Sequence, residues 1–190
     1  VGAPVTFLTS AAAVSTMIAV LFLVRPAHGD ARAHGSLIDS FTDNLRYIRA
    51  NEVFARIIIV ALLHATLAMG FIHVLPVFAK LLQVDARGLG ILASAAGIGA
   101  LAGFISYSWA QSRISWRNLI VGALTLYNMV LIGLAFSRSY WFSFAMILIS
   151  GVCHGYFLTC AQVMLQTLVK DRYRGRVMSL FSLVWSLMFL

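Results

Sequence analysis

The sequence predicts an all-α, polytopic membrane protein with about six transmembrane helices, and three observations carry that prediction. Hydrophobic residues make up 61% of the chain and charged residues only 11%, against about 45–50% and about 25% in an ordinary soluble domain. Cutting at every Lys, Arg, Asp and Glu leaves six mostly apolar segments, residues 5–24, 57–79, 88–112, 118–137, 139–169 and 177–190. An uncharged run of about 18 or more such residues marks a bilayer-crossing helix. The basic residues then alternate loop by loop. Arg25, Arg32, Arg46, Arg49 and Arg56, then Arg113 and Arg117, then Lys170, Arg172, Arg174 and Arg176 place eleven on one side, while Lys80, Arg87 and Arg138 place three on the other. By the positive-inside rule the eleven-charge side is cytoplasmic. The net charge of +8 therefore reads as orientation, not as affinity for nucleic acid. This composition excludes soluble enzymes, nucleic-acid binders, coiled coils and secreted disulfide scaffolds.

The first span, residues 5–24, has no basic leader and no small-residue cleavage site, so it does not read as a signal peptide. In the polar stretch that follows, Pro26, Gly29 and Gly35 form a turn-rich linker, and Ser36 with Asp39 has the form of a capping box. Leu37, Phe41, Leu45 and Ile48 then mark one face of an amphipathic helix on the membrane or against the bundle. Asn51 is placed to cap the second span, with Glu52 in its first turn.

On the second span Thr66, Gly70, His73, Val77 and Lys80 share a face, His64 points to the opposite side, and Pro76 is expected to kink the helix beside His73. The third span carries a small-residue stripe, Ala93, Ala96, Gly97, Ala100 and Gly103, with Gly99 and Gly103 as a GxxxG on the neighbouring face. Small residues let helix backbones approach closely in lipid, so this helix needs a tight neighbour. Asn128 in the fourth span reads as interhelical glue.

On the fifth span Gly151, Gly155, Thr159, Gln162 and Gln166 fall on one face, while His154 sits beside Leu158, Ala161 and Leu165. Cys153 and Cys160, about 10 Å apart along a helix axis, cannot bridge each other and read as small buried apolar residues. The sixth span has 14 residues, fewer than the roughly 20 needed to cross, and there is no initiator Met, so the chain reads as a fragment of a longer membrane protein.

Polar residues inside a span are costly unless paired or hydrated, so they point to a pathway. The candidates are Thr66 and His73 on one helix and Thr159, Gln162 and Gln166 on another. For His64 and His154 the plainer reading is a neutral imidazole bonded to a neighbouring helix. No HExxH, GxSxG, paired carboxylate or Cys-His cluster is present, so no enzyme chemistry, metal or cofactor is expected. No Asp or Glu lies in any span. A proton-coupled protein would then need a carboxylate elsewhere, or a histidine, to titrate.

The runs LRYIRANEVFARIII, HVLPVFAKLL, RGLGILASAAGIGALAGF and DRYRGRVMSL resemble the second half of bacterial major facilitator superfamily exporters, in the branch of the enterobactin exporter and macrolide efflux proteins. The RGRVMS run from Arg174 to Ser179 is the most specific piece, and the likeness covers nearly the whole chain. It implies that the spans are helices 6 to 11 of twelve: residues 1–24 the last helix of the N-terminal half, 25–55 the central cytoplasmic loop, and 56–190 the C-terminal bundle, its last helix cut short.

The same resemblance implies that helices 7 and 10 line the cavity and that helix 8, with Ala93, Gly97, Ala100 and Gly103, packs at the interface between halves. Gly151 and Gly155 are packing candidates on helix 10. Residues 109–117 read WAQSRISWR where the family often carries a gating motif, keeping Arg113 and Arg117 without the acid or the glycine; Arg174 and Arg176 are the other gating candidates.

The implied function is proton-coupled efflux of small amphipathic compounds, such as drugs or siderophores, across the bacterial inner membrane by alternating access. The bilayer, the substrate, protons and the N-terminal half of the same chain would be its partners. The alternative from another class is a non-transporting helical bundle serving assembly or anchoring, distinguished by whether the polar faces meet at a cavity or pack dry.

Overall fold

The computed structural model describes residues 51–169 and 171–186, all within the compact unit Leu37–Leu190. The first span, the linker and the amphipathic helix with its Ser36 cap lie outside the described residues, as does the end of the sixth span beyond 186. Every regular element among the described residues is helical, and four helices are long and apolar enough to cross a membrane.

Helix α1, Glu52–Leu63, begins where the sequence places it. The Asn51 side chain accepts from the Val53 N–H at 3.1 Å, with Glu52 in the first turn. Arg56 pairs with Glu52 at 2.6 Å on the exposed surface, an i,i+4 contact worth a few tenths of a kcal/mol. The helix continues into a π-helical turn, His64–Ala68, closed by the Met69 N–H on the His64 carbonyl at 2.9 Å, and then breaks at Met69 and Gly70. Helix α2, Phe71–Leu81, completes the span.

The break thus falls before Pro76, not at it. Pro76 has no N–H for the Ile72 carbonyl, and its ring crowds that carbonyl. The turn containing Ile72 opens at its upstream end, where Ile72 and His73 donate to Met69 and Gly70 three residues back, each at 3.1 Å.

Helix α3, Ala86–Gln111, is capped by Asp85, whose carboxylate accepts from the Gly88 N–H at 2.8 Å. Helix α4, Trp116–Ala135, follows a Ser115 cap; helix α5 is Tyr140–Leu168 and helix α6 is Asp171–Ser186. Helices α3 and α5 run parallel. The Tyr140 hydroxyl donates to the Gly88 carbonyl at 3.2 Å near their starts, and Ser106 bonds Tyr156 at 2.8 Å further along.

Between those two contacts the helices come closest. A Cβ on Gly103 would lie 2.5 Å from the Val152 carbonyl oxygen, and one on Gly155 would lie 2.6 Å from the Ala100 carbonyl oxygen. Gly99 and Gly151 are tighter still, against the carbonyls of Leu148 and Ala96. Only glycine permits such an approach. The contact therefore runs along Gly99 and Gly103 with Ala96 and Ala100. Ala93 and Gly97, expected in the same stripe, are exposed, and a Cβ on Gly97 would meet nothing within 4 Å.

On the other side α5 joins α1 and α6 in one core that includes Phe54, Ala61, Phe157, Leu165, Val177 and Phe181. Arg56, Trp116 and Arg117 border a common groove of about 150 Å³ at one end of the bundle, while Gly88 and Tyr140 meet at the other. Leu67, Ile105 and Phe136 are 75%, 73% and 82% exposed. An outer surface of this kind suits hydrocarbon, not water.

Candidate functional site

Two histidines that no sequence signal pairs meet inside the bundle, His64 buried and His154 half-buried. His64 opens the π turn and His154 lies midway along α5; His64 Nε2 and His154 Nδ1 are 3.2 Å apart, and His64 is 4% exposed. Both had been expected to bond a neighbouring helix, and each is the other's partner. Aromatic rings close around them. Tyr127 of α4 stands edge-on at 4.7 Å from His64 between centroids and Phe157 of α5 at 4.8 Å, while Trp185 of α6 stands 5.4 Å from His154.

The Tyr127 hydroxyl donates to the Ala68 carbonyl at 3.2 Å and lies 3.4 Å from the Met69 sulfur. It thereby satisfies a carbonyl released where the helix breaks, since Ile72 donates to Met69 instead. The break opens onto a cavity of about 200 Å³ bordered by Met69, Gly97, Ala100, Tyr127, Ser150 and His154. Gly97, left out of the helix contact, thus lies on a cavity wall.

The residues singled out from sequence as a path are placed differently. Thr66 and His73 are exposed, Thr159 and Gln162 are half-buried, and Gln166 is exposed. None of the five borders this cavity, and no hydrogen bond joins the His73 face to the Gln162 face among the described residues. Thr66 donates to the Leu62 carbonyl and Thr159 to the Gly155 carbonyl, both at 2.8 Å. Asn128, expected to bridge helices, donates to the Leu124 carbonyl of its own helix at 2.8 Å. Each reaches the carbonyl four residues back, which satisfies the side chain without a partner helix.

Arg113 lies over the Trp109 ring at 4.6 Å, Arg117 borders the groove with Arg56, and Arg174 is exposed. The Arg176 side chain lies outside the described residues. Cys153 and Cys160 are free and buried. Among the described residues no three His, Cys, Asp or Glu side chains gather as a metal site would require.

A family model described as transmembrane secretion effector, of the major facilitator type, matches residues 1–187. The chain belongs to the major facilitator superfamily. It is a multi-pass membrane protein of a transporter family. No curated protein and no solved structure matched the chain.

Proposed function

We propose that the chain forms the C-terminal half of a secondary active exporter that moves small amphipathic compounds, such as drugs or siderophores, out across the bacterial inner membrane by alternating access in exchange for protons. The observation that carries this reading is the interruption of the second span at Met69 and Gly70 beside a cavity of about 200 Å³. Met69 and Gly70 keep right-handed helical dihedrals, but the hydrogen-bond ladder is interrupted there and the Ala68 carbonyl is released to a side chain; transporters place their sites at discontinuities of this kind in a spanning helix. The branch with the enterobactin and macrolide exporters remains our reading of the sequence motifs.

The substrate path in this half runs along the strip of Thr66, His73 and Lys80 and along Thr159, Gln162 and Gln166. The packing leaves Thr66, His73, Val77 and Lys80 exposed together, which supports a face reserved for a path between this half and the other. Arg113, Arg117, Arg174 and Arg176 serve the cytoplasmic gate.

The test is efflux from proteoliposomes holding the full-length protein, with ethidium and a panel of amphipathic dyes under an imposed pH gradient. Wild type is expected to export at least one dye, and the double variant His73→Leu, Gln162→Leu to lose most of that rate while still inserting. Normal export by the double variant would remove the path. Arg176→Ala is expected to slow export without affecting insertion, and an unchanged rate would leave Arg176 only an orienting role.

A further inference from the structure

The geometry points to the His64–His154 pair as a binding site for one proton, open to the cavity through His154 and stabilised in its charged form by an aromatic cage in place of a carboxylate. The inference rests on the transport reading for its purpose, but its chemistry is set by the pair itself. A neutral pair holds two ring protons on four nitrogens. One proton lies in the bond between His64 Nε2 and His154 Nδ1, 3.2 Å long, and one lies at an outer nitrogen.

When the outer proton is on His64 Nδ1, His154 Nε2 is bare. A proton delivered by hydronium in a hydrated cavity then adds to His154 Nε2 and leaves one water. The bond between the rings is kept, and the single positive charge is shared by shifting the central proton. Release reverses the same step. His64 Nδ1 is buried without a hydrogen-bond partner, as is Trp185 Nε1. A buried polar group left in that condition is uncommon and points to a role beyond packing.

Aromatic rings, not carboxylates, surround the pair among the described residues. Tyr127, Phe157 and Trp185 come from three helices to within 4.7–5.4 Å of one or other imidazole, inside the roughly 6 Å over which the face of an aromatic ring attracts a positive charge. The titratable group in ring contact with the pair is Tyr127 from α4, and Cys153, which packs in the same cluster as Tyr127, precedes His154 on α5; α6 contributes Trp185, which does not titrate, and the π turn adds no other titratable group. No charged side chain touches the pair among the described residues, and no Asp or Glu lies in any span. One ring opens the π turn that leads into the helix break and the other stands on the intact α5, so gain of a proton and movement of that turn act on the same contact. A proton shifts a conformational equilibrium only if it binds one state better, and closing or hydrating the cavity supplies that difference.

The test is histidine ¹⁵N NMR of the full-length protein in lipid nanodiscs, with His64→Gln and His154→Gln for assignment and for the case in which one variant fails to fold. As the pH falls from about 8 to about 4, the range in which imidazoles titrate, both wild-type signals are expected to move together in one step that adds one proton. Trp185→Leu, which removes a cage wall, is expected to require at least a tenfold higher proton concentration. Two independent steps, or no proton taken up by either ring, would overturn the inference. An unchanged step in Trp185→Leu would overturn the aromatic stabilisation. A pair that titrates as described in a protein that exports nothing overturns the transport reading alone, whereas export by a protein whose pair never gains a proton overturns this site alone.

Discussion

Gly103 of α3 and Gly155 of α5 face each other so closely that a Cβ on the first would sit 3.2 Å from the Cα of the second. One turn away Gly99 and Gly151 repeat the contact, so two GxxxG faces lock the parallel pair together. Lipid is as apolar as a leucine side chain, so backbone proximity and dispersion take the place of the hydrophobic drive that would join such helices in water.

That contact makes the two glycine positions on α3 behave in opposite ways. Gly103→Val forces a side chain into the Val152 carbonyl and is expected to destabilise the bundle by about 3 kcal/mol, read as loss of monodisperse protein on size exclusion. Gly97→Ala meets no atom within 4 Å and is expected to leave stability unchanged or raised by about 0.5–1 kcal/mol, because alanine is the better helix former. Equal damage from both would show that α3 and α5 do not meet along this face.

Tyr127→Phe removes the hydroxyl that serves the Ala68 carbonyl at the helix break. With the ring kept, the loss is expected to be about 1 kcal/mol, measured as a lowered unfolding midpoint in detergent. An unaltered midpoint would mean that the carbonyl has another donor.

Gln83, in the loop between α2 and α3, has φ of 55°, a left-handed conformation that strains any residue with a Cβ by roughly 1–2 kcal/mol. Gln83→Gly is expected to raise stability by about 0.5–1 kcal/mol once the added freedom of the unfolded chain is deducted. A fall in the unfolding midpoint would contradict it.

Orientation is checked with single cysteines at the two ends of the bundle. Ser112→Cys lies beside Arg113 and Arg138→Cys lies in the loop before α5, both at exposed positions. A membrane-impermeant maleimide added to whole cells is expected to label Arg138→Cys and to reach Ser112→Cys only after permeabilisation. Native Cys153 and Cys160, 2% and 0% exposed, are expected to remain unlabelled in the folded protein. Labelling of Ser112→Cys in intact cells would reverse the topology.

Much of the fold was determined by the sequence alone, because each deciding signal is local. Uncharged length fixes a span, the basic residues on either side orient it, and Asn51 caps α1 with its own side chain two residues ahead of Val53. What faces what was decided only in three dimensions. Over their full lengths α3 and α5 carry no continuous polar side opposite an apolar one, since lipid and protein interior are equally apolar. The helical pattern therefore could not show that Gly99 turns toward Gly151 while Gly97 turns toward a cavity. The same applies to the break, which the sequence located at Pro76 and the packing located at Met69 and Gly70, where Tyr127 supplies the donor that the freed carbonyl requires. His64 and His154 stand 90 positions apart. Each histidine signals only that a buried polar group needs a partner; the identity of that partner follows from the register of the second span against α5, which tertiary packing alone sets.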